Sequence, residues 1–322
     1  PPGCWPGGFA AAAALEAAHD AHEADAAWEE ERATCLEALH RACSEALSAP
    51  EYRLAPFDWT PDVRLEPFGS TMQGTALRSS DLDVRLSFEQ FAVHGRARQA
   101  RYLRGVAAQP GEDFAVVRLV EARLPVLRLA FRGRLAVDLS MGDDLEGGAE
   151  VDRVVRELLA AAADAGARRL VRLVKAFSKA HGLADAHGGY LNSVSWTFLA
   201  LSFLQVERCL PLLSELQPGG PPGRRLWPAR PSAPLLARFF DHVGSCGGRP
   251  HRISLSPLAG GGCGPRPWDK ALGQPLLVEH PGAPGWNLAQ CLRPAGWRET
   301  LARCAEAAAG LWSLAAGRRG PE

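Results

Sequence analysis

Apolar and polar residues alternate in Asp81-Leu82-Asp83-Val84-Arg85-Leu86, which predicts a strand with Leu82, Val84 and Leu86 on one face and both aspartates on the other. The same alternation runs through Val126 to Phe131 and Leu135 to Ser140, on either side of Arg132-Gly133-Arg134, and predicts a hairpin with glycine at its turn. Asp138 then lies on the face opposite Leu135, Val137 and Leu139. Between the first strand and the hairpin, the spacing predicts a helix near Phe88–Val106. Residues 9 to 48 are dominated by Ala, Glu and Leu at helical spacing, part of them as a low-complexity extension, and Ala49-Pro50 closes that segment.

From Val151 onward the pattern is helical. Leu170, Leu173, Val174 and Phe177 form an apolar stripe, and further helices are predicted over Ser193–Glu207, Pro234–Val243 and Pro294–Leu314. A short strand is expected over Pro275–Glu279. The Gly- and Pro-rich stretches 217–234 and 244–267 are expected to be irregular connections. These patterns give an α+β chain in three parts: an N-terminal helical segment over 1–51, a small α/β catalytic domain over 52–150, and a largely helical domain over 151–316.

Composition changes this picture little. The 322 residues carry 36 basic and 36 acidic side chains, so no net charge draws the chain to nucleic acid and any such binding must be local. Candidate patches are Arg96, Arg98, Arg101 and Arg104; Arg168, Arg169, Arg172, Lys175 and Lys179; and the pairs Arg224-Arg225 and Arg318-Arg319, most of which are expected to be solvated helix faces. The 8 cysteines contain no Cys-x-x-Cys pair, which fits reduced thiols in an intracellular setting, cytoplasmic or nuclear. Cys35, His40 and Cys43 lack metal-finger spacing and are expected to pack along a helix. The apolar run from Trp196 to Val206 is too short to span a bilayer, so no membrane association is expected. The chain starts at Pro1 rather than Met, which suggests a fragment or a processed chain and leaves an organellar leader open. The visible start is Ala/Glu-rich without an arginine before Arg32.

The chemistry lies in the polar face of the strands. Two adjacent carboxylates repel, and pairing Asp81 with Asp83 is best explained by a cation that neutralises them, magnesium in the first place and manganese as the alternative. If the Asp138 strand lies beside the first, three carboxylates converge, enough to hold two divalent ions roughly 3.5–4 Å apart. One would activate an attacking hydroxyl and the other would hold a triphosphate. Upstream, Gly69 permits close backbone approach and Ser70 offers a hydroxyl where a helix is expected to begin, so N–H groups there are expected to receive phosphate oxygens.

Gly69-Ser70, then Asp81-x-Asp83 on a strand, then Asp138 on another strand, resembles the DNA polymerase β-like nucleotidyltransferase superfamily. The blocks Leu170–Lys179, Tyr190–Trp196 and Phe203–Gln205 resemble the central helices of terminal uridylyltransferases and the related poly(A) polymerases. Leu235–Phe240, Val278–Pro281 and Asn287–Ala289 are similar to the poly(A)-polymerase-associated segment of that family. The match runs from about Tyr52 to Ala305.

The resemblance implies template-independent transfer of AMP or UMP from an NTP to an RNA 3′ end in a two-domain cleft, by a two-metal mechanism with Asp81, Asp83 and Asp138 as catalytic metal ligands. It implies that Lys175 and Lys179, on one helix face, contact the triphosphate and that Ser193 contacts phosphate. It also aligns Trp286 and Asn287 with the base-reading position. Three departures stand out. Val194 replaces a base-stacking Tyr, with Trp196 close by as a substitute; the sugar-contacting Asn-Thr pair falls on Arg153-Val154; and Trp286 replaces a His common in uridylyltransferases, which puts ATP slightly ahead of UTP. The competing functions are another nucleotidyltransferase, such as an oligoadenylate synthetase, and an inactive RNA-binding scaffold. No RNA-recognition module is evident, so target choice falls to an RNA-binding protein partner or to a flank.

Overall fold

The computed structural model describes residues 25–53, 60–121, 124–142, 147–216, 225–229, 233–244, 246, 251–255, 266–267 and 274–315. The extension expected before residue 25, and Arg224, Arg318 and Arg319, lie outside them. The chain divides into two compact units, one ending at Asp152 and the other starting at Arg153.

The first unit is a five-stranded sheet with helices on one face. Its strands are β1 (Val63–Pro67), β2 (Leu82–Phe88), β3 (Phe114–Glu121), β4 (Pro125–Phe131) and β5 (Leu135–Met141). Their order is β1-β2-β5-β4-β3, antiparallel except for the parallel pair β2–β5. The β4–β5 hairpin closes through Arg132 and Gly133, both at positive φ (47° and 68°), with the Arg134 N–H on the Phe131 carbonyl at 2.9 Å. Two such residues match the right-handed twist of the strands, which is why a glycine stands there.

Strand alternation places Leu82, Val84, Leu86, Leu127, Leu129, Phe131, Val137 and Leu139 in the core. They pack against helix α1 (Ala26–Leu47), which contributes Cys35, Ala38, Leu39, Ala42, Cys43, Ala46 and Leu47, and against Leu103 and Val106 of α2 (Arg96–Ala108). Each fully buried Leu of this kind is worth about 1.5–3 kcal/mol, so the N-terminal helix belongs to the core of this unit. Asp25 caps α1, accepting from the Trp28 N–H at 2.8 Å. Burial pushes the Cys35 and Cys43 thiols up to about 12, which leaves them as inert core groups. Helix α2 begins later than its pattern suggests. Phe88 ends β2, buried and stacked on Phe91 at 4.8 Å, and Gly95 at φ 90° turns the chain into the helix.

The second unit is mainly helical: α3 (Gly148–Ala160, which starts in the first unit), α4 (Gly166–Ala180), α5 (Ser193–Val206), α6 (Ala233–Gly244) and α7 (Pro294–Ala315). Helix α5 is buried along its whole length from Ser195 to Gln205, so its apolar run is a core helix, and no described helix is long and apolar enough to cross a membrane. The stripe on α4 is buried as expected, widened by Val171. The stretch 244–267, expected to be irregular, instead supplies β6 (His251–Ile253) and β7 (Arg266–Pro267). They join β8 (Leu276–His280) and β9 (Ala283–Asn287) in a sheet of order β7-β6-β8-β9. Strands this short, in a Gly- and Pro-rich setting, leave no periodicity to detect.

Candidate active site

The parallel pairing of β2 with β5 sets Asp83 directly opposite Asp138, and Asp81 immediately precedes β2. Ligand atoms of Asp81, Asp83 and Asp138 all lie within 4.8 Å of one another. All three project from the sheet face that does not carry α1 and α2. Hard carboxylate oxygens clustered so closely are of the type that holds a divalent cation. Burial raises the Asp138 pKa, against the opposing pull of Arg128, and Asp81 raises it further. A carboxylate held this way gains from a cation. Arg128 stands opposite Asp138 across β4–β5, its Nε 3.3 Å from the carboxylate.

The Gly69–Ser70 segment departs from expectation in a useful way. No helix begins there. Residues 69–74 form consecutive turns, with the Gln73 N–H on the Gly69 carbonyl and the Thr75 N–H on the Ser70 carbonyl, each at 3.0 Å. Gly69 has φ +67°, and a Cβ on it would meet Asp83 Oδ2 at 2.9 Å, so both conformation and contact require glycine. Its N–H is already taken: it donates to Asp152 Oδ2 at 2.8 Å and so cannot serve phosphate. The N–H groups of Ser70, Thr71 and Met72, by contrast, find no acceptor among the described residues. Three successive amides free in a turn are a receptor for an anion.

Asp152 was not anticipated from the sequence. It is only 7% exposed, and its second oxygen accepts from Gln73 Nε2 at 2.8 Å, while Gln73 in turn accepts from the Thr75 hydroxyl at 3.2 Å. A second unanticipated group is Arg32. It is 3% exposed and stacked on Trp28 at 4.1 Å, and its charge, depressed by burial, bears on Glu29 and Asp83. The Trp28-x-x-x-Arg32 spacing was its only sequence signal.

In the second unit, Lys175 is 2% exposed, so it is no solvated helix charge, whereas Lys179 on the same helix is exposed. Ser193 is the first residue of α5, and its neighbour Asn192 caps the helix, accepting from the Ser195 N–H at 2.7 Å. Ser193 is therefore not the cap. Trp196 cannot stand in for a stacking Tyr: it is fully buried and its indole N–H donates to the Leu183 carbonyl at 3.0 Å. Val154 is core, and Arg153 pairs with Glu157 at 2.6 Å, so neither replaces the sugar-contacting pair.

Trp286 is half-buried on β9, stacked on His280 at 5.6 Å. Asn287 needs a correction. Its Oδ1 accepts from the Val278 and Ala289 N–H groups, and its Nδ2 donates to Gln274 Oε1 and the Leu276 carbonyl, which uses the whole amide. It positions the strand that carries Trp286 rather than meeting a nucleotide directly. Of the arginines proposed as a patch on α2, Arg96 and Arg101 donate to the carbonyls of Glu121 and Glu51, and Arg104 pairs with Glu121. They are structural.

Residues 13–145 match the family model described as poly(A) RNA polymerase, mitochondrial-like, central palm domain. Among curated proteins, the chain is similar to poly(A) RNA polymerase CID14 of Cryptococcus neoformans, 26% identical over 148 residues, 46% of this chain and 19% of that protein. It is also similar to poly(A) RNA polymerase protein 1 of Eremothecium gossypii, 31% identical over 156 residues, 47% of this chain and 23% of that protein. The chain thus spans about a fifth of the length of these relatives. Among solved structures, mtPAP in complex with UTP aligns with TM-score 0.72 at 15% identity, covering 95% of this chain and 70% of that one. The Cid1 poly(U) polymerase aligns with TM-score 0.68 at 17% identity, covering 95% and 94%. At these identities the structural matches show the fold alone, an α+β arrangement shared with mtPAP and Cid1.

Proposed function

We propose that this chain is a member of the poly(A) polymerase and terminal uridylyltransferase family and adds nucleoside monophosphates to an RNA 3′ end without a template. The observation that carries this reading is the convergence of Asp81, Asp83 and Asp138 beside a turn that presents three unused amides. Asp81, Asp83 and Asp138 would hold divalent cations, which would supply Lewis-acid activation of the hydroxyl and charge neutralisation at the triphosphate. The chain's own residues do the rest. Asp83 and Asp138, fixed by the strand register, orient the carboxylate oxygens. The Ser70–Met72 amides receive phosphate oxygens, with Asp152 holding the turn in place through Gly69. Lys175, Lys179 and Ser193 serve the triphosphate, and Trp286 sets the base preference.

ATP is the preferred nucleotide in this reading, because the indole of Trp286 occupies the position where uridylyltransferases carry His. Extension of an RNA primer with each NTP supplied separately, in magnesium and in manganese, tests it, with Asp83→Asn as the control. Tails that require Asp83 are expected. Product formed without RNA would point to an oligoadenylate-type activity, and the absence of any product from the folded chain would point to a scaffold.

A further inference from the structure

The strand register assembles a row that no single stretch of sequence contains. Across β3, β4, β5 and β2, Arg118 faces Arg128, Arg128 faces Asp138, and Asp138 faces Asp83. Directly opposed residues in a sheet project to one face, so two guanidinium groups lie in line with two of the metal-binding carboxylates. Arg128 is engaged with Asp138 at 3.3 Å, while Arg118 is exposed on the edge strand and has no ion-pair partner among the described residues. The charge of Arg118 nevertheless reaches Asp138, as expected of two groups that look onto the same face.

Like charges placed directly opposite one another are destabilising in a sheet. The other arginines near this edge are neutralised or tied to carbonyls: Arg104 by Glu121, Arg132 by Asp113, Arg96 on the Glu121 carbonyl. Arg118 is not, and Arg128 is paired with a carboxylate of the acidic cluster. Its only acidic neighbour in the row is Asp138, whose oxygens a cation would claim. The next row toward the hairpin turn is built from Ala115, Ala130 and Ala136, which leaves free space above the sheet beside the arginines.

We propose that Arg118 and Arg128 form a phosphodiester-binding track that carries the primer strand across the sheet to Asp138. The inference rests on the reading of the site as a polynucleotide-extending one and assigns it a primer side. The triphosphate has its own receptor in the Ser70–Met72 turn, which lies on the β1–β2 side of the carboxylates. The arginines lie on the other side, with Arg118 two strand spacings, about 10 Å, from β5. A row of this kind recognises the backbone charge of a single strand and carries no base specificity.

The test is binding of a short fluorescent oligoadenylate, without NTP, to the full chain and to Arg118→Gln and Arg118→Lys, over a range of salt, alongside NTP binding and primer extension. The edge-strand position makes both variants foldable, checked by unchanged melting. Arg118→Gln should weaken oligonucleotide binding about threefold to tenfold and flatten the log–log salt slope by about 0.7, the share of one phosphate no longer neutralised. It should raise the primer KM without changing NTP affinity or the rate at saturating primer, and Arg118→Lys should restore the slope. Unchanged oligonucleotide affinity and slope in folded Arg118→Gln would overturn the track. A loss confined to NTP binding would overturn it as well, by assigning the row to the triphosphate. Arginine-dependent oligonucleotide binding by a chain that makes no tails would uphold the track while rejecting the proposed activity.

Discussion

Asp152 offers the sharpest quantitative test of how the turn at Gly69 is held. Its two oxygens accept from the Gly69 N–H and from Gln73 Nε2, both at 2.8 Å, and the residue is nearly buried. Hydrogen bonds to a charged acceptor contribute about 1.5–3 kcal/mol each, and removing the acceptor strands two buried donors. Asp152→Ala should therefore cost about 3–5 kcal/mol. Asp152→Asn should be far milder. Its carbonyl can keep the Gly69 N–H; Gln73 can turn its amide over to accept from the new NH2, and the rotatable Thr75 hydroxyl can then accept from Gln73. The two donors that Asp152 serves are matched again, and the charge assistance is lost, about 1 kcal/mol. For a unit of this size 1 kcal/mol moves the melting temperature by roughly 3–4 °C. The expected losses are thus on the order of 10–20 °C for Ala and 3–4 °C for Asn, read by thermal melting of the full chain. NTP affinity should fall with Ala and hold with Asn. Melting of Asp152→Ala within about 2 °C of the parent, or Asn as damaging as Ala, would refute the hydrogen-bond argument.

Gly69→Ala places a Cβ against Asp83 Oδ2 in a left-handed conformation, a strain of about 1–2 kcal/mol, so extension should fall more than tenfold with secondary structure intact by circular dichroism; near-parental activity would reject the close-approach argument. Trp286→His should shift the UTP/ATP incorporation ratio toward UTP, and an unchanged ratio in an active variant would place base selection elsewhere. Burial lowers the His242 pKa to about 4. The unfolded chain then binds more protons below the usual histidine value, so stability is complete above about pH 6.5 and declines as pH falls toward 4, by roughly 3 kcal/mol in all. Urea unfolding of the parent and of His242→Phe across that range should differ in slope, and parallel curves would exclude His242 as the cause.

The carboxylate site was legible because alternation fixes which face each aspartate takes, and a glycine-centred hairpin fixes where Asp138 returns. What sequence could not supply was pairing. Asp152 approaches Gly69 across 83 positions, from a helix whose pattern shows only an ordinary acidic residue. Arg118 and Arg128 become neighbours only through the β3–β4 register, whereas Arg96, Arg101 and Arg104 of α2 stand out in the sequence and are spent by the fold on its own carbonyls and Glu121. Trp196 and Asn287 misled for a related reason. An indole in an apolar run and an amide beside a turn look available until their hydrogen-bond partners are placed.

The parallel register of β2 on β5 also bears on how the unit assembles. The β4–β5 hairpin closes locally through its own turn, but β2 must dock beside β5 across a long intervening loop of chain, against repulsion between Asp83 and Asp138. The closest approach of these carboxylates exists only in the finished sheet. A divalent ion that prefers the clustered ligands over the scattered ones therefore binds the native state selectively and adds RT ln(1 + [L]/Kd) to its stability. With a divalent ion bound, the same cluster would tie the stability of the central strand pair to cation supply.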